Sequence, residues 1–209
     1  MTRTLRGVPR VAPVAALVLS GFLTACGGSE KPAQSPTPQS QSELSSEAER
    51  YFPLKDNTVL AFVTAGDSPK DTGLLVMAIS RTGPARAKLT VAGRSQELQL
   101  LPTGIRHRDG GFVLRLPLQV GAQWRGLAGM VTIEAIDQTV KVPAGEFFGC
   151  LQTVEDAGDA ENGKRIATTY CPYVGIVSLD IQAFSGSTLV VEHARLKSHG
   201  PRVDLSDIK

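Results

Sequence analysis

Beyond Asn57 the chain holds no window of a dozen residues with apolar side chains at helical spacing; short alternating or β-branched runs recur between turn signals instead. A period of two puts alternate side chains on one face of a strand, so the pattern predicts an all-β domain. The expected strands are 57–65, 73–81, 86–92, 95–101, 103–108, 112–120, 130–142, 146–156, 164–171, 175–184 and 187–197. No strand leads into a helical crossover, which excludes a parallel α/β arrangement. The expected fold is a single curved antiparallel sheet or half-barrel of about ten strands.

Three hairpins can be set in register. Asp109-Gly110 reads as a two-residue turn pairing Ile105 with Leu114 and His107 with Phe112. His107 then shares an apolar face with Ile105, Phe112 and Leu114, while Arg106 and Arg108 point to the other side. A second hairpin, symmetric about the polar loop 157–163, sets Asp156 opposite Arg165, Val154 opposite Ala167 and Cys150 opposite Cys171. Directly opposed cysteines lie close enough for a disulfide. The alternative is a reduced, buried pair, since a free cysteine packs as a small hydrophobe. The third hairpin turns at Ser185-Gly186, with Val177, Leu179, Ile181 and Ala183 on one face and Ser178, Asp180 and His193 on the other. There Ser178 is expected across from His193, with Asp180 diagonal to it.

Before this sheet the pattern changes. Residues 1–10 carry Arg3, Arg6 and Arg10 with no acid, and 11–23 form an apolar run broken by Pro13, Ser20 and Gly21. That is the layout of an export signal, and the run falls short of the roughly 20 residues a membrane-spanning helix needs. Leu23-Thr24-Ala25-Cys26 follows, and it resembles the lipobox of bacterial lipoproteins. The resemblance implies a signal peptide over 1–25, cleavage before Cys26 and a diacylglyceryl group on its thiol. Residues 26–44 are poor in apolar side chains and rich in Pro, Ser and Gln, the composition of a disordered tether that follows the lipidated cysteine. The β-rich domain is then 45–209, opened by a short helix over 45–50. Because Gly27 and Gly28 follow the cysteine, the aspartate that favours inner-membrane retention is missing; in a Gram-negative host this implies the outer membrane, facing the periplasm. A Gram-positive surface remains the other reading.

Charge narrows the function classes. Taking the three leader arginines from 22 basic residues leaves 19 against 20 acidic ones. A near-neutral body lacks the electrostatic footprint of a nucleic-acid binder. Aromatic residues make up only 5% of the chain, with Trp124 the single tryptophan, which disfavours stacking platforms.

Candidate chemistry is sparse. Ser178, His193 and Asp180 have the residue types of a hydrolase triad, yet no nucleophile elbow or oxyanion-hole signal accompanies them. His107, His193 and His199 show neither of the common zinc spacings, so no metal is expected. Thr103-Gly104 and Gly126-Leu127-Ala128-Gly129 lack the lysine and helix of a phosphate loop, so no nucleotide or other cofactor is expected. Glu134 with Asp137, and Glu155 with Asp156, read as solvent-facing strand ends. Arg106, Arg108 and Arg115 gather on one side of the first hairpin, either as a solvated face or as a surface for anionic lipid headgroups.

Tyr51-Phe52-Pro53-Leu54 with Asn57-Thr58, Leu116-Pro117-Leu118 with Gly121 and Trp124, the run from Val142 to Phe147, and Tyr173-Val174-Gly175-Ile176-Val177 occur in an order that resembles a group of uncharacterised β-rich periplasmic lipoproteins. The resemblance spans residues 51–177 and implies fold and location without an activity. The expectation is a non-catalytic, lipid-anchored cell-envelope protein that binds the membrane through Cys26 and acts by contact with envelope proteins or lipids. The alternative is a carrier or sensor for a lipid or acyl chain, held in an apolar concave sheet lined by Ile105, His107, Phe112, Leu114 and Trp124.

Overall fold

Alternating burial along each segment turns the expected runs into strands. In a computed structural model, which describes residues 47–68, 71–159, 162–185 and 188–202, they are β1 (Thr58–Gly66), β2 (Thr72–Gly83), β3 (Arg86–Val91), β4 (Arg94–Leu101), β5 (Gly104–His107), β6 (Phe112–Arg115), β7 (Gln123–Arg125), β8 (Met130–Val142), β9 (Gly145–Ala157), β10 (Lys164–Cys171), β11 (Gly175–Ser185) and β12 (Thr188–Pro201). The leader, the lipidated Cys26 and the tether of 26–44 lie outside the described residues.

All twelve strands join one antiparallel sheet in the order β6-β5-β4-β3-β2-β1-β12-β11-β10-β9-β8-β7. The chain starts at the centre of the sheet, steps outward to β6, crosses to the far edge at β7 and steps back until β12 lies against β1. Among the described residues that central pairing, with Phe62 opposite Leu196, is the one neighbour relation between strands distant in sequence. Right-handed twist accumulated over twelve strands brings the two edges together. The result is a nearly closed barrel, with two strands more than the ten or so expected. The added strand β7 is three residues long and follows Pro117, which has no amide to donate and ends the run expected over 112–120 at Arg115.

Alternate side chains of the sheet fill the inside. Leu60, Phe62, Leu98, Ile105, Leu114, Ile133, Leu151 and Leu196 are fully buried in one hydrophobic cluster. Each such side chain contributes roughly 1.5–3 kcal/mol relative to exposure. A helical turn over 47–51 precedes β1 and carries Phe52 and Leu54 into the same cluster. Phe52 meets Tyr170 edge-on, with ring centroids 6.0 Å apart. Gly175 beside the Phe52 ring takes φ 100°, a backbone conformation that side-chain-bearing residues rarely adopt. Arg81 fixes the segment from the other side: its guanidinium pairs with Glu49 at 2.5 Å and donates to the carbonyl of Leu54 at 3.1 Å, and its amide donates to Asp56 at 2.8 Å. This segment therefore forms a plug at the end of the barrel where β1 begins.

Two hairpin registers differ from expectation. A bulge between Ile105 and Arg106 keeps Ile105 opposite Leu114 but sets Phe112 opposite Arg106 rather than His107. The turn is correspondingly wider than Asp109-Gly110, since His107 N–H donates to the carbonyl of Gly111 at 3.0 Å. In the β11–β12 hairpin, Ser185 pairs with Thr188, a shift of two residues. An even shift preserves the faces, so Ala194 still meets the apolar face, now at Leu179 rather than Val177, but Asp180 rather than Ser178 stands opposite His193 and Ser178 faces Arg195.

Candidate functional site

The residues expected to line a concave pocket separate into two groups. Ile105, Leu114 and Trp124 are at most 2% exposed and belong to the packed core. Phe112 is half-buried at its margin, and His107 is half-buried beside the β5–β6 turn. His107 Nδ1 is buried without a hydrogen-bond partner. Burial holds the His107 pKa below its ordinary value, partly opposed by the nearby carboxylate of Glu155.

Cys150 and Cys171 form a disulfide, with Cα atoms 4.2 Å apart. The β9–β10 ladder runs as the symmetric loop required, with Asp156 opposite Arg165 and Val154 opposite Ala167. Arg165 pairs with Asp156 at 3.0 Å and with Glu134 at 2.5 Å, so two of the acids read as solvated strand ends share one cation.

The third acid of that set has a different task. Glu155 Oε1 accepts the amides of Ala128 at 2.6 Å and Gly129 at 2.8 Å, folding the 126–129 loop over itself. Gly126 and Gly129 are required there: a Cβ on the first would lie 2.5 Å from Glu155 Oε1, and on the second 1.8 Å from the carbonyl oxygen of Asp156. The glycine spacing was visible in the sequence, but its carboxylate partner was not, because it comes from a strand 26 residues later.

Ser178, Asp180 and His193 do not assemble as a triad. The Ser178 hydroxyl is buried and donates to Thr169 Oγ1 at 2.9 Å. Asp180 stands between two side chains, bonded to His193 Nδ1 and to Arg195 at 2.6 Å. Arg195 also reaches the carbonyls of Leu179 and Ala194, so it covers this polar stripe on the outside of the sheet. Among the described residues no group of three or more His, Cys, Asp or Glu side chains converges on a common point.

The seam between β6 and β7 was not legible in the sequence. The two edges share no ladder, but Trp124 Nε1–H donates to the carbonyl of Phe112 at 3.0 Å. Gly111 passes so close to β7 that a Cβ would lie 1.9 Å from the carbonyl oxygen of Arg125. Outside this seam is a cleft of about 390 Å3, lined by Arg106, Arg115 and Arg125 together with Asp109, Phe112 and Leu127. Arg108, expected in the same group, turns away and pairs with Glu97 at 2.7 Å. At the tip of the β11–β12 hairpin Phe184, Leu189 and Val190 are exposed by 39%, 46% and 54%, among several large apolar side chains on the exterior.

No family model matches this sequence, and no significant match is found among curated proteins. Among the solved structures to which this chain bears a likeness are two candidate exported proteins or lipoproteins of Bacteroidetes. One is a candidate exported protein with a YmcC-like fold from Bacteroides fragilis, 11% identical, with a TM-score of 0.45 over 72% of this chain and 98% of that one. The other is a candidate lipoprotein from Parabacteroides distasonis, 11% identical, with a TM-score of 0.37 over 72% of this chain and 98% of that one.

Proposed function

We propose that this chain is an exported, lipid-anchored and non-catalytic protein of the bacterial envelope, which works through contacts made by the outside of its barrel. The leader, the Leu23-Thr24-Ala25-Cys26 motif and the Pro/Ser-rich tether support the location, and the Cys150–Cys171 disulfide suits an oxidising compartment. What carries the choice between contact and carriage is the state of the interior positions. Ile105, Leu114 and Trp124, the residues a carrier would turn toward an acyl chain, are consumed in the core, and Phe52 and Leu54 plug the barrel end. Apolar area for recognition is found instead on the exterior, at Phe184, Leu189 and Val190.

Mass spectrometry of the full chain extracted from bacterial membranes in a mild detergent tests both halves. The expected product begins at Cys26 with a diacylglyceryl group, and Cys26→Ala abolishes both the modification and membrane retention. Under native conditions the protein should carry no lipid beyond its covalent anchor. An unprocessed N-terminus would remove the anchoring, and a second, denaturation-released lipid would turn the reading to carriage.

A further inference from the structure

We propose that the arginine-lined cleft outside the β6–β7 seam binds a phosphate-bearing anion. Arg106 from β5, Arg115 from β6 and Arg125 from β7 all line it, and Asp109 is the sole acid among its lining residues. Three guanidinium groups and one carboxylate leave a formal charge of +2. Outside the cleft Arg81, Arg108, Arg165 and Arg195 each pair with a carboxylate at 3.0 Å or less, while Arg50, Arg86, Arg94 and Arg202 form no ion pair among the described residues but do not share a cleft with other arginines. Among the described residues none of the three cleft arginines forms a salt bridge. Three like charges brought together with a single counter-charge repel, so the fold does not gain from this grouping, and a bound anion would relieve it.

Two of the three side chains are already held. Arg106 Nε donates to the carbonyl of Gly110 at 3.0 Å, and the Arg115 guanidinium lies 5.5 Å from the centroid of the Phe112 ring. The Arg106 bond engages Nε and leaves its two terminal nitrogens for a ligand. Held donors lose less freedom on binding than free ones.

The donor geometry selects the anion. A carboxylate is satisfied by a single guanidinium fork, whereas a phosphate group presents several oxygens in tetrahedral directions and carries up to two charges. Donors arriving from three strands, with a net +2, suit the phosphate. The cleft is larger than the anion alone, and Phe112 and Leu127 give it apolar walls, with Leu127 51% exposed. A substituent on the phosphate can lie against them. A phospholipid headgroup and a soluble phosphate ester share this chemistry. The site stands independently of whether Cys26 is lipidated.

The test is arginine modification by phenylglyoxal on the full-length protein in a neutral detergent, read by peptide mass spectrometry. Arg94, exposed at the β3–β4 turn and outside the cleft, is the internal reference. The probes are inorganic phosphate, glycerol 3-phosphate and micelles doped with phosphatidylglycerol, each against chloride at equal ionic strength. Joint protection of Arg106, Arg115 and Arg125 relative to Arg94 is the expected result. Protection by the doped micelles alone assigns the phosphate to a lipid headgroup; protection by glycerol 3-phosphate assigns it to a soluble ester. In Arg125→Gln, whose folding is checked by the emission of Trp124, the probe concentration that protects Arg106 and Arg115 should rise by about tenfold or more, as loss of a charge-assisted bond implies. Equal protection of Arg94, or no protection beyond chloride with any probe, overturns the site.

Discussion

Trp124 donates its indole N–H to the backbone carbonyl of Phe112, and this 3.0 Å bond links the two edge strands where the sheet has no ladder to close it. An unpaired edge is exposed to foreign strand pairing, and here it is covered by the other edge of the same sheet. The only tryptophan of the chain thus works twice, as a core side chain and as the clasp of the seam.

Trp124→Phe keeps a large ring in the core and removes the donor, leaving the Phe112 carbonyl unpaired at the seam. The expected loss is about 1–3 kcal/mol in urea unfolding followed by circular dichroism. Hydrogen exchange should quicken at β5 and β6 while the β9–β10 ladder stays protected. Uniform acceleration across the sheet would show that Trp124 matters only as packing.

The Cys150–Cys171 disulfide closes a span of 21 residues, for which chain-entropy arguments give about 3 kcal/mol. A Cys150→Ala/Cys171→Ala double variant should lower the urea midpoint by a corresponding amount. Reduction of the native protein should lower it similarly. A midpoint insensitive to both would mean that the β9–β10 ladder is rigid enough in the unfolded ensemble to make the cross-link redundant.

How far the sequence could be read depended on how local each relation is. The β9–β10 register follows from a polar loop with equal arms, an ion pair and two cysteines falling into step, and all of these lie within about twenty residues of one another. The β11–β12 faces were legible because a two-residue slip preserves alternation, but the identity of the His193 partner was not, because such a slip exchanges Ser178 for Asp180. The β5–β6 turn departs from the two-residue reading at a place where groups outside the hairpin crowd it: Gly111 lies against the carbonyl of Arg125, and the ladder bulges between Ile105 and Arg106. The same holds for the arginine cleft. Arg106 and Arg115 could be grouped from the hairpin, but Arg125 joins them only when two edges far apart in the sheet order meet. Trp124 sits on a strand of three residues, too short to show any alternation.

Arg81 is the principal tie between the sheet and the plug, since one side chain reaches Glu49, the carbonyl of Leu54 and the carbonyls of Gly83 and Pro84. Arg81→Met retains much of the stem and removes the donors. The amide of Phe52, which bonds to Ala48, should lose protection in hydrogen exchange. Global stability should fall by roughly 1–3 kcal/mol, in the range for hydrogen bonds to a charged group. Unchanged exchange at 47–54 would show that Phe52 and Leu54 hold the plug by packing alone.

His107 supplies an acid-side dependence. Burial lowers its folded-state pKa below 6.5, so between that lowered value and 6.5 the unfolded chain binds the extra proton and the folded protein resists it. Stability present above 6.5 is lost as pH falls through this window. His107→Gln removes the contribution, and the urea midpoint of the native protein relative to this variant should decline from pH 7.5 to 5.5. A constant difference over that interval would show that the imidazole is solvated well enough to charge freely.

Tyr170 supplies the alkaline limit. Its ring is buried beside Phe52, and burial, reinforced by the Glu155 carboxylate and only partly offset by hydrogen bonds with Thr168 and Thr153, pushes the phenol pKa far above 10. For an acid that is neutral when protonated, a raised folded-state pKa means that the unfolded chain releases its proton first. The stabilising contribution is complete below about pH 10 and declines as pH rises from there toward the folded-state pKa, with a limiting slope of about 1.4 kcal/mol per pH unit. Tyr170→Phe removes the ionisable group and keeps the edge-on contact with Phe52. The variant starts less stable at pH 8, because Thr153 and Thr168 lose a partner, but its urea midpoint should fall less steeply than that of the native protein between pH 9.5 and 11. Parallel declines in the two proteins would mean that Tyr170 reaches solvent when the plug opens, and would move the origin of alkaline unfolding from the barrel core to the 47–54 segment.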